Sequence, residues 1–460
     1  MPSLLCLSRI LCGAILSIAL PAQQACAQSA GPSILRDAET EQFLSDISAQ
    51  MAISSGLTPR SLKLYIINDR EINAFVASGQ AIYINSGTIQ HSDNANELEG
   101  VIAHELAHIE GGDAVRSGNA AGAATRITLL SLLVGIAAVA AGAGPAGMAA
   151  MMAGQSAAMG KYLAYSRQQE GSADAAAVRH LSDARLSGKG MISFFGKLRQ
   201  EEYRLSPSYT SIDPFAMSHP MTADRQAALL NDLQKSPWWN APPDKAKEAR
   251  FARIKAKLVG YLDDPPVVLN KYPERDQSIP AHYARAYAWH RGGYPEAAAA
   301  EVAKLLAAAP HDPFFLELKG QILLESGKPA EAIPALREAV QQSRSTPLIA
   351  ALLGNALVST ENPADLQEAA QVLRVTVQRD RENPQAWYDL GLAYTRLGDE
   401  ARASLASAER FSLQGEPQMA AANAEIALRG IPAGTPDHIR AQDLALAARD
   451  EADRERRHKR

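Results

Sequence analysis

The sequence predicts an α+β fold, in which a small sheet packed with helices precedes an all-α array of repeated helix pairs. The first observation is the pattern between residues 38 and 110, where two helical periodicities enclose three short β-rich runs. The second is a change beyond residue 275, where Ala- and Leu-rich segments recur with a period of 34 residues. A chain of 460 residues is long enough for two or three such units.

The composition is that of an ordinary globular protein, with 47% hydrophobic and 21% charged residues. The net charge of −4 gives no general attraction to nucleic acid or to an anionic membrane surface. We therefore expect no nucleic-acid partner.

Residues 1–27 have the layout of a secretory signal peptide. Arg9 precedes the apolar run ILCGAILSIAL, and Ala25-Cys26-Ala27 offers a cleavage site after Ala27. All three cysteines fall in this segment, so the mature chain would have neither disulfides nor a cysteine nucleophile, as suits a bacterial periplasm. Lipidation at Cys26 is the weaker alternative, because the preceding Gln23-Gln24-Ala25 lacks the usual branched apolar residue.

Residues 28–240 are predicted to form the first domain. Helical periodicity with an acidic start predicts a helix over 38–54. Runs rich in Ile, Val and Tyr predict strands at 62–68, 73–78 and 81–87. The next helix is expected from Asn94 to Glu110, because Gly111-Gly112 follows as a stop signal.

Residues 127–160 contain no charged side chain and are long enough to cross a membrane. Gly142-Ala-Gly-Pro145 interrupts this stretch in the middle, which favours two apolar helices packed as a hairpin over the domain. The alternative is an element that dips into the membrane and gives the protein a peripheral membrane contact.

The C-terminal half is predicted to hold repeats. Proline-rich stretches indicate a linker region over 241–275, before repeats at 276–430 and a charged, frayed tail at 431–460. Leu318-Lys-Gly320 recurs as Leu352-Leu-Gly354 after 34 residues, and again after 37, which indicates an insertion near 360–366. The last copy, NPQAWYDLGLAYTRLGDEARA, has the residues that tetratricopeptide repeats use, and such repeats stack into a superhelix that binds peptides or proteins.

The segment VIAHELAHIEGGD, residues 101–113, contains a candidate metal site. Helical residues i and i+4 share a face, so His104 and His108 can bind one zinc ion. Glu105 can then act as general base toward water at the metal. The alternative is an amphipathic helix with two satisfied histidines and a buried face of Val101, Ile102, Leu106 and Ile109.

A catalytic zinc site needs a third protein ligand. One class of metallopeptidases takes a histidine six positions after His108, but residue 114 is alanine. The segment RQQEGSADAAAVRH offers Glu170 instead, and Asp174, one turn later, can hold a histidine N–H. We therefore expect one zinc ion per chain, bound by His104, His108 and Glu170. The alternative is that Glu170 is a surface carboxylate, because E-x-x-x-D is a common spacing.

The segments NAFVASGQAIYINSG, VIAHELAHIEGGD and RQQEGSAD make the chain resemble the HtpX-like zinc metallopeptidases. With its signal peptide and C-terminal repeats, it resembles a periplasmic branch of that family. The resemblance implies a zincin-like endopeptidase domain with zinc on His104, His108 and Glu170. It also implies Glu105 as the general base and Asp174 as its helper, often described as a proton donor.

The same resemblance implies roles around the cleft. Asn73, Ala74 and Phe75 would flank it, so that an extended substrate could add as an edge strand. In AMSHPMTADR, His219 would occupy the open position of zinc and keep the enzyme latent, and Arg225 would stabilise the oxyanion. The alternative for His219 is a loop histidine before a helix.

The resemblance implies a zinc endopeptidase, either free in the periplasm or associated with the outer membrane, that acts on misfolded or stalled outer-membrane proteins. The repeats would bind the client or the assembly machinery. One alternative is a non-proteolytic periplasmic chaperone or scaffold that works through its repeats, and another is a membrane-embedded peptidase. The complete set of ligands with Glu105 favours the enzyme over the scaffold. The signal peptide and the Gly-Pro break disfavour the membrane-embedded form.

Overall fold

The computed structural model describes residues 33–77, 79–113, 144–205, 219 and 222–458. The first domain contains strands β1 (Ile34–Leu35), β2 (Lys63–Ile67), β3 (Ala74–Ala77) and β4 (Ala81–Asn85). Its described helices are α1 (Ala38–Ser54), α2 (Ser86–His91), α3 (Ala95–Gly111), α4 (Gly144–Asp183), α5 (Lys189–Leu205) and α6 (Ala223–Gln234). The mixture of one small sheet with many helices confirms the predicted fold class.

The C-terminal half is helical throughout its described residues. Its helices are α7 (Lys245–Leu262), α8 (Pro265–Lys271), α9 (Ile279–Arg291), α10 (Pro295–Ala308), α11 (Pro313–Glu325), α12 (Pro329–Gln342), α13 (Pro347–Ser359), α14 (Pro363–Arg379), α15 (Pro384–Arg396), α16 (Glu400–Leu413), α17 (Pro417–Gly430) and α18 (Pro436–His458). No helix in the described part of the chain combines the length and the apolar character needed to cross a membrane.

The sheet has the strand order β1-β2-β4-β3. β2 and β4 run parallel, whereas β1 and β3 pair antiparallel with their neighbours. β2, β3 and β4 confirm the three predicted strands, with ends shortened by one or two residues. The sequence does not predict β1, because a strand of two residues is too short to show alternation. β3 lies at one edge of the sheet.

Helix α3 lies against the sheet and confirms the predicted helix to within a residue. The side chain of Asn94 caps it by accepting a hydrogen bond from the backbone N–H of Glu97 at 2.9 Å. Gly112, with φ +65°, ends it in the left-handed conformation. Helix and sheet share one fully buried core, to which they contribute Ile66, Ile82, Ile84, Leu98 and Ile102.

The structure changes the prediction of an apolar hairpin over 127–160. Residues 127–143 lie outside the described residues, and residues 144–160 begin helix α4, which continues without a break for 40 residues to Asp183. Pro145 is compatible with this start, because a proline in the first turn of a helix loses no intrahelical hydrogen bond. The second arm of the expected hairpin is therefore continuous with the helix that carries Glu170 and Asp174.

Residues 241–275 contain two helices where their prolines predicted a linker. The prolines precede α7, occupy the first turn of α8 or follow α8, so they do not interrupt either helix. One face of α7 places Phe251 and Ile254 in the core of the first domain, and another places Ala256 and Val259 against the first repeat helix. This segment therefore packs the two halves of the chain together.

A buried network of charges surrounds α7. Arg253 binds Glu39 of α1 and Asp312 at the start of α11, the latter at 2.7 and 3.1 Å. Lys257, 4% exposed, forms an ion pair with Asp37. Burial lowers the pKa of Lys257, but Asp37, Tyr283, Tyr287 and Glu39 together outweigh burial and hold that pKa well above its usual value. The start of the first domain and the repeats are thus bound to the same helix.

Paired helices form the repeat array, and most of them begin with proline in the first turn. Gly320 lets α11 approach Leu336 of α12, and Gly354 lets α13 approach Leu373 of α14 in the same way. The second separation is 19 residues and the first is 16, so the insertion is a helical turn near the start of α14. This matches its expected place near 360–366.

The tail predicted over 431–460 contains helix α18, which packs against α17. Alanines and a leucine recur along one side of it at helical spacing and are buried, namely Ala441, Leu444, Ala445, Ala448 and Ala452. The buried side of α18 thus consists mainly of small alanines. The charged residues around them dominate the composition of this segment, so its amphipathic spacing is hard to recognise in the sequence.

We expect Gly354→Ala to lower the free energy of unfolding by about 1–3 kcal/mol, because overpacking a well-packed core costs that much. The added Cβ would lie 2.4 Å from the side chain of Leu373, which is fully buried. Gly391→Ala is the matched control, since its nearest neighbour would be 3.5 Å away. Urea unfolding followed by circular dichroism compares the two. Equal loss of stability in both variants would contradict the close approach.

Candidate metal centre

Helix α3 brings the two predicted histidines together. The Nε2 atoms of His104 and His108 lie 3.1 Å apart, and their rings are perpendicular with centroids 4.7 Å apart. His104 is fully buried and His108 is nearly so. The i, i+4 spacing on one helix therefore has the geometry expected of two ligands for one ion.

Helix α4 brings the predicted third ligand to the same point. The carboxylate oxygens of Glu170 lie 3.3 Å from His104 Nε2 and 3.5 Å from His108 Nε2. His219 completes the group, with its Nδ1 2.9 Å from Glu170 Oε1 and 3.2 Å from His104 Nε2. One donor atom from each of these four buried residues lies within 4.8 Å of the others, so the group could hold a metal ion.

Each histidine of α3 has a carboxylate at its other ring nitrogen. Asp174 Oδ1 lies 3.3 Å from His104 Nδ1, as the sequence predicts for this residue. Asp113 Oδ2 lies 2.8 Å from His108 Nδ1, and Gln169 donates to the other oxygen of Asp113 at 2.8 Å. Such carboxylates fix the ring orientation and tautomer of a metal-binding histidine. Sequence reasoning missed Asp113, whose only signal is the Gly111-Gly112 turn that folds it back.

Arg225 contacts the carboxylates of α4. Its Nε and Nη2 bind the two oxygens of Asp174 at 2.5 and 2.9 Å, and Nη1 lies 2.7 Å from Glu170 Oε2. Burial raises the pKa of Asp174, but Arg225 and His104 outweigh burial and hold it below its usual value. The guanidinium thus stabilises the two charged carboxylates and orients them.

The electrostatics of the site favour a cation. Burial lowers the pKa of His104, but hydrogen bonds to Asp174 and Glu170 and their charges raise it to about 9. Burial raises the pKa of Glu170, but His104 and His219 hold it well below its usual range. A group of imidazoles among ionised carboxylates is the donor set that zinc accepts, so the residues fit the ion.

Glu105 is fully buried beside this group. Neither of its carboxylate oxygens has a hydrogen-bond donor among the described residues, and the nearest ring nitrogen, His219 Nε2, lies 3.8 Å away. A buried carboxylate without a donor is costly. Its position beside the histidines suits a group that accepts a proton from water during a reaction.

The predicted cleft residues belong to edge strand β3 and its approach. Asn73 is held by Thr88, whose hydroxyl accepts from its N–H at 2.9 Å and donates to its carbonyl at 2.7 Å. Ala74 faces the core and is fully buried, whereas Phe75 stacks on Tyr83 with ring centroids 5.2 Å apart. The described residues pair β3 with β4 alone, and α3 packs beside it. Its outer edge therefore has no strand partner among the described residues.

Comparisons with known proteins identify the class of protein that this fold and site define. Residues 38–232 match the model of peptidase family M48, and residues 315–346 match a tetratricopeptide repeat model. The chain therefore contains an M48 metallopeptidase domain followed by tetratricopeptide repeats. This confirms the predicted resemblance and the prediction that the protein is an enzyme.

Several curated proteins are similar in sequence to this chain. The β-barrel assembly-enhancing protease of Escherichia coli K12 is 24% identical over 392 residues, covering 83% of this chain and 77% of the relative. That of Yersinia pestis is 23% identical over 400 residues, covering 84% and 79%. A protease HtpX homolog of Bacillus licheniformis is 39% identical over 80 residues, or 16% of this chain and 26% of the relative.

Among solved structures, the tetratricopeptide protein YrrB, described as having an unusual peptide-binding site, is 18% identical. The superposition covers 39% of this chain and 94% of the YrrB chain, with a TM-score of 0.32.

We expect Asp113→Asn to weaken metal binding about 10- to 100-fold, because the amide would no longer hold the His108 ring as a strong acceptor. Metal affinity is measured by competition with a chromophoric chelator, and the fold is checked by circular dichroism. Glu110→Gln is the matched control: Glu110 lies at the same helix end but contacts Arg179 and His180. Unchanged affinity in Asp113→Asn, or an equal loss in both variants, would refute this role.

Proposed function

We propose that this protein is a zinc-dependent endopeptidase in which His104, His108 and Glu170 bind one zinc ion per chain. The observation that carries the proposal is the meeting of these three buried donors beside Glu105, a buried carboxylate without a donor among the described residues. A scaffold protein has no use for such a carboxylate, because its burial costs stability. Catalysis requires it.

Each residue of the site has a distinct role in the proposed hydrolysis. Bound zinc supplies Lewis acidity toward a peptide carbonyl and toward water. The Glu105 carboxylate accepts a proton from the attacking water and returns it to the leaving amine. Asp174 holds His104 in one orientation, and Arg225 holds Glu170 and Asp174. In this arrangement Arg225 acts on the carboxylates, and the oxyanion role that the resemblance implied would require it to leave Asp174.

We propose that the substrate is a polypeptide in extended form. β3 is an edge strand, so a substrate strand could pair with its free backbone groups, as edge-strand addition requires. Phe75 would contact the substrate through its side chain. Ala74 would contribute only its backbone, because its side chain is buried in the core.

The relatives suggest where and on what the enzyme acts. Two of them are named β-barrel assembly-enhancing proteases, and each covers more than four fifths of this chain. We infer a periplasmic enzyme, directed there by residues 1–27, that acts on misfolded or stalled outer-membrane proteins. Its repeats would bind the client or the outer-membrane assembly machinery. The expected peripheral membrane contact through 127–160 remains part of this proposal.

His219 supports a second mode of action. Its ring lies against both His104 and Glu170, where it would compete with a substrate carbonyl or water for an ion held by these residues. With His219 in place, the peptidase would be latent and the repeats could still hold a client. A non-proteolytic chaperone role is thus the resting state of the same molecule.

We expect Glu105→Gln to retain about one zinc per chain and to lose peptide cleavage by at least about a thousandfold, because the amide cannot take up a proton. Elemental analysis of residues 28–460 gives the metal content, and cleavage of an unfolded protein gives the activity. Glu170→Ala should lose both metal and cleavage. Retained proteolysis in Glu105→Gln would refute the general-base role, and a zinc-free wild type would refute the metal site.

We expect His219→Ala to raise the basal cleavage rate several-fold without loss of zinc, because the ring no longer competes for the metal's open position. Initial rates on the same unfolded substrate measure this, with zinc content as the parallel readout. His91→Ala serves as control, since the hydrogen bond of the His91 ring among the described residues is with the backbone carbonyl of Gly87. A lower rate with less zinc in His219→Ala would make His219 a permanent ligand.

A further inference from the structure

The repeat array contains a groove of about 500 Å³ between α14, α15, α16 and the first turns of α18. Trp387, Leu390 and Tyr394 of α15 provide an aromatic and aliphatic lining. Ile439 of α18 lines it too and is 51% exposed. Every lining residue lies between 374 and 443, so the groove is built without the peptidase domain.

Contacts between α16 and α18 shape one wall of the groove. Arg440 donates two hydrogen bonds to the carboxylate of Glu409, at 2.5 and 2.8 Å, so the charges of the two residues neutralise each other. Arg402 binds Asp437 at 2.9 Å. These pairs fix the first turns of α18 against α16, which keeps the groove open as a preformed feature.

Two further arginines, Arg374 and Arg381, line the groove and have weaker contacts with carboxylates of the described residues than Arg402 and Arg440 have. Arg374 reaches only Asp437, at 3.5 Å, and Asp437 is already bound by Arg402. Arg381 has no ion-pair partner among the described residues. Both arginines come from α14 or the turn after it, whereas Arg402 and Arg440 come from α16 and α18.

We propose that this groove binds an acidic segment of a partner polypeptide that carries an aromatic or large aliphatic side chain. Arg374 and Arg381 match carboxylates through paired N–H donors. Trp387, Tyr394 and Ile439 supply the apolar contact area in which binding energy concentrates. The partner is held and not cut, because no residue of the peptidase domain lines the groove.

The mixed charge of the groove argues for a peptide over a polyanion. Glu409, Asp437 and Asp443 line it beside the arginines, and a nucleic-acid backbone would meet these carboxylates at close range. A polypeptide can place carboxylates at Arg374 and Arg381 and polar or apolar groups elsewhere. Such matching of positive groups on one partner to negative groups on the other is typical of protein–protein recognition.

The test uses the full mature chain with Glu105→Gln, so that a probe is not cut. A fluorescein-labelled peptide of Asp, Glu and Phe is titrated and followed by polarisation. Two comparison peptides replace Phe by Ala, or Asp and Glu by Asn and Gln. We expect the acidic, Phe-containing peptide to bind at least about tenfold more tightly than either, since each lacks one half of the recognition.

Matched double variants locate the binding. Arg374→Gln with Arg381→Gln should weaken binding at least about tenfold. Arg337→Gln with Arg344→Gln removes the same charge 37 residues earlier, at residues that do not line the groove, and should leave affinity within about twofold. Ile439→Ser should weaken binding of the Phe-containing peptide and leave the affinity for the Ala peptide unchanged.

Three results would overturn the proposal. Equal losses in the two double variants would mean general charge attraction. Equal binding of all three peptides would mean no specific site. Self-association of the wild type that Arg374→Gln with Arg381→Gln abolishes, seen by sedimentation, would assign the groove to a second copy of the chain. None of these results depends on proteolysis, so they are distinguishable from failure of the proposed enzyme function.

Discussion

Helix α7 is buried on two sides, and the arrangement of the whole chain depends on it. Its apolar residues belong to the core of the peptidase domain and to the first repeat helices, and its Arg253 and Lys257 neutralise carboxylates of both. Removing one partner of a buried ion pair typically costs about 3–5 kcal/mol, because a charge is left uncompensated. The repeats are therefore held in a defined orientation to the peptidase domain, and Lys63 and Tyr65 add a second contact through Glu382.

At the candidate metal centre, by contrast, the arrangement of the groups lowers the stability of the fold. Glu105 lies buried without a donor among described residues, and His104, His108 and Glu170 crowd within hydrogen-bonding distance. A cation that binds this donor set contributes its binding energy to the fold. Arg225 compensates part of the cost, since it neutralises Glu170 and Asp174 from the first turn of α6.

Local pattern predicts much of this molecule. The strands, helix α3 and its two histidines follow from periodicity, and Glu170 follows from the need for a third ligand. The pattern fails where the cause is tertiary. The spacing of α7 shows an amphipathic helix, but the prolines around it obscure its role, and the buried face of α18 consists of alanines that composition treats as neutral. The orientation of Arg225 depends on how α6 meets the carboxylates of α4, which no local window contains, and Asp113 reaches His108 through the Gly111-Gly112 turn.

The edge strand β3 has a consequence for selectivity. A strand that is paired on both sides in a closed β-barrel has no free backbone edge, whereas an unassembled strand has two free edges. An enzyme that engages its substrate by pairing with β3 would thus distinguish chains by their state of assembly, irrespective of amino-acid sequence. Completion of the barrel would itself be the signal that ends susceptibility to cleavage.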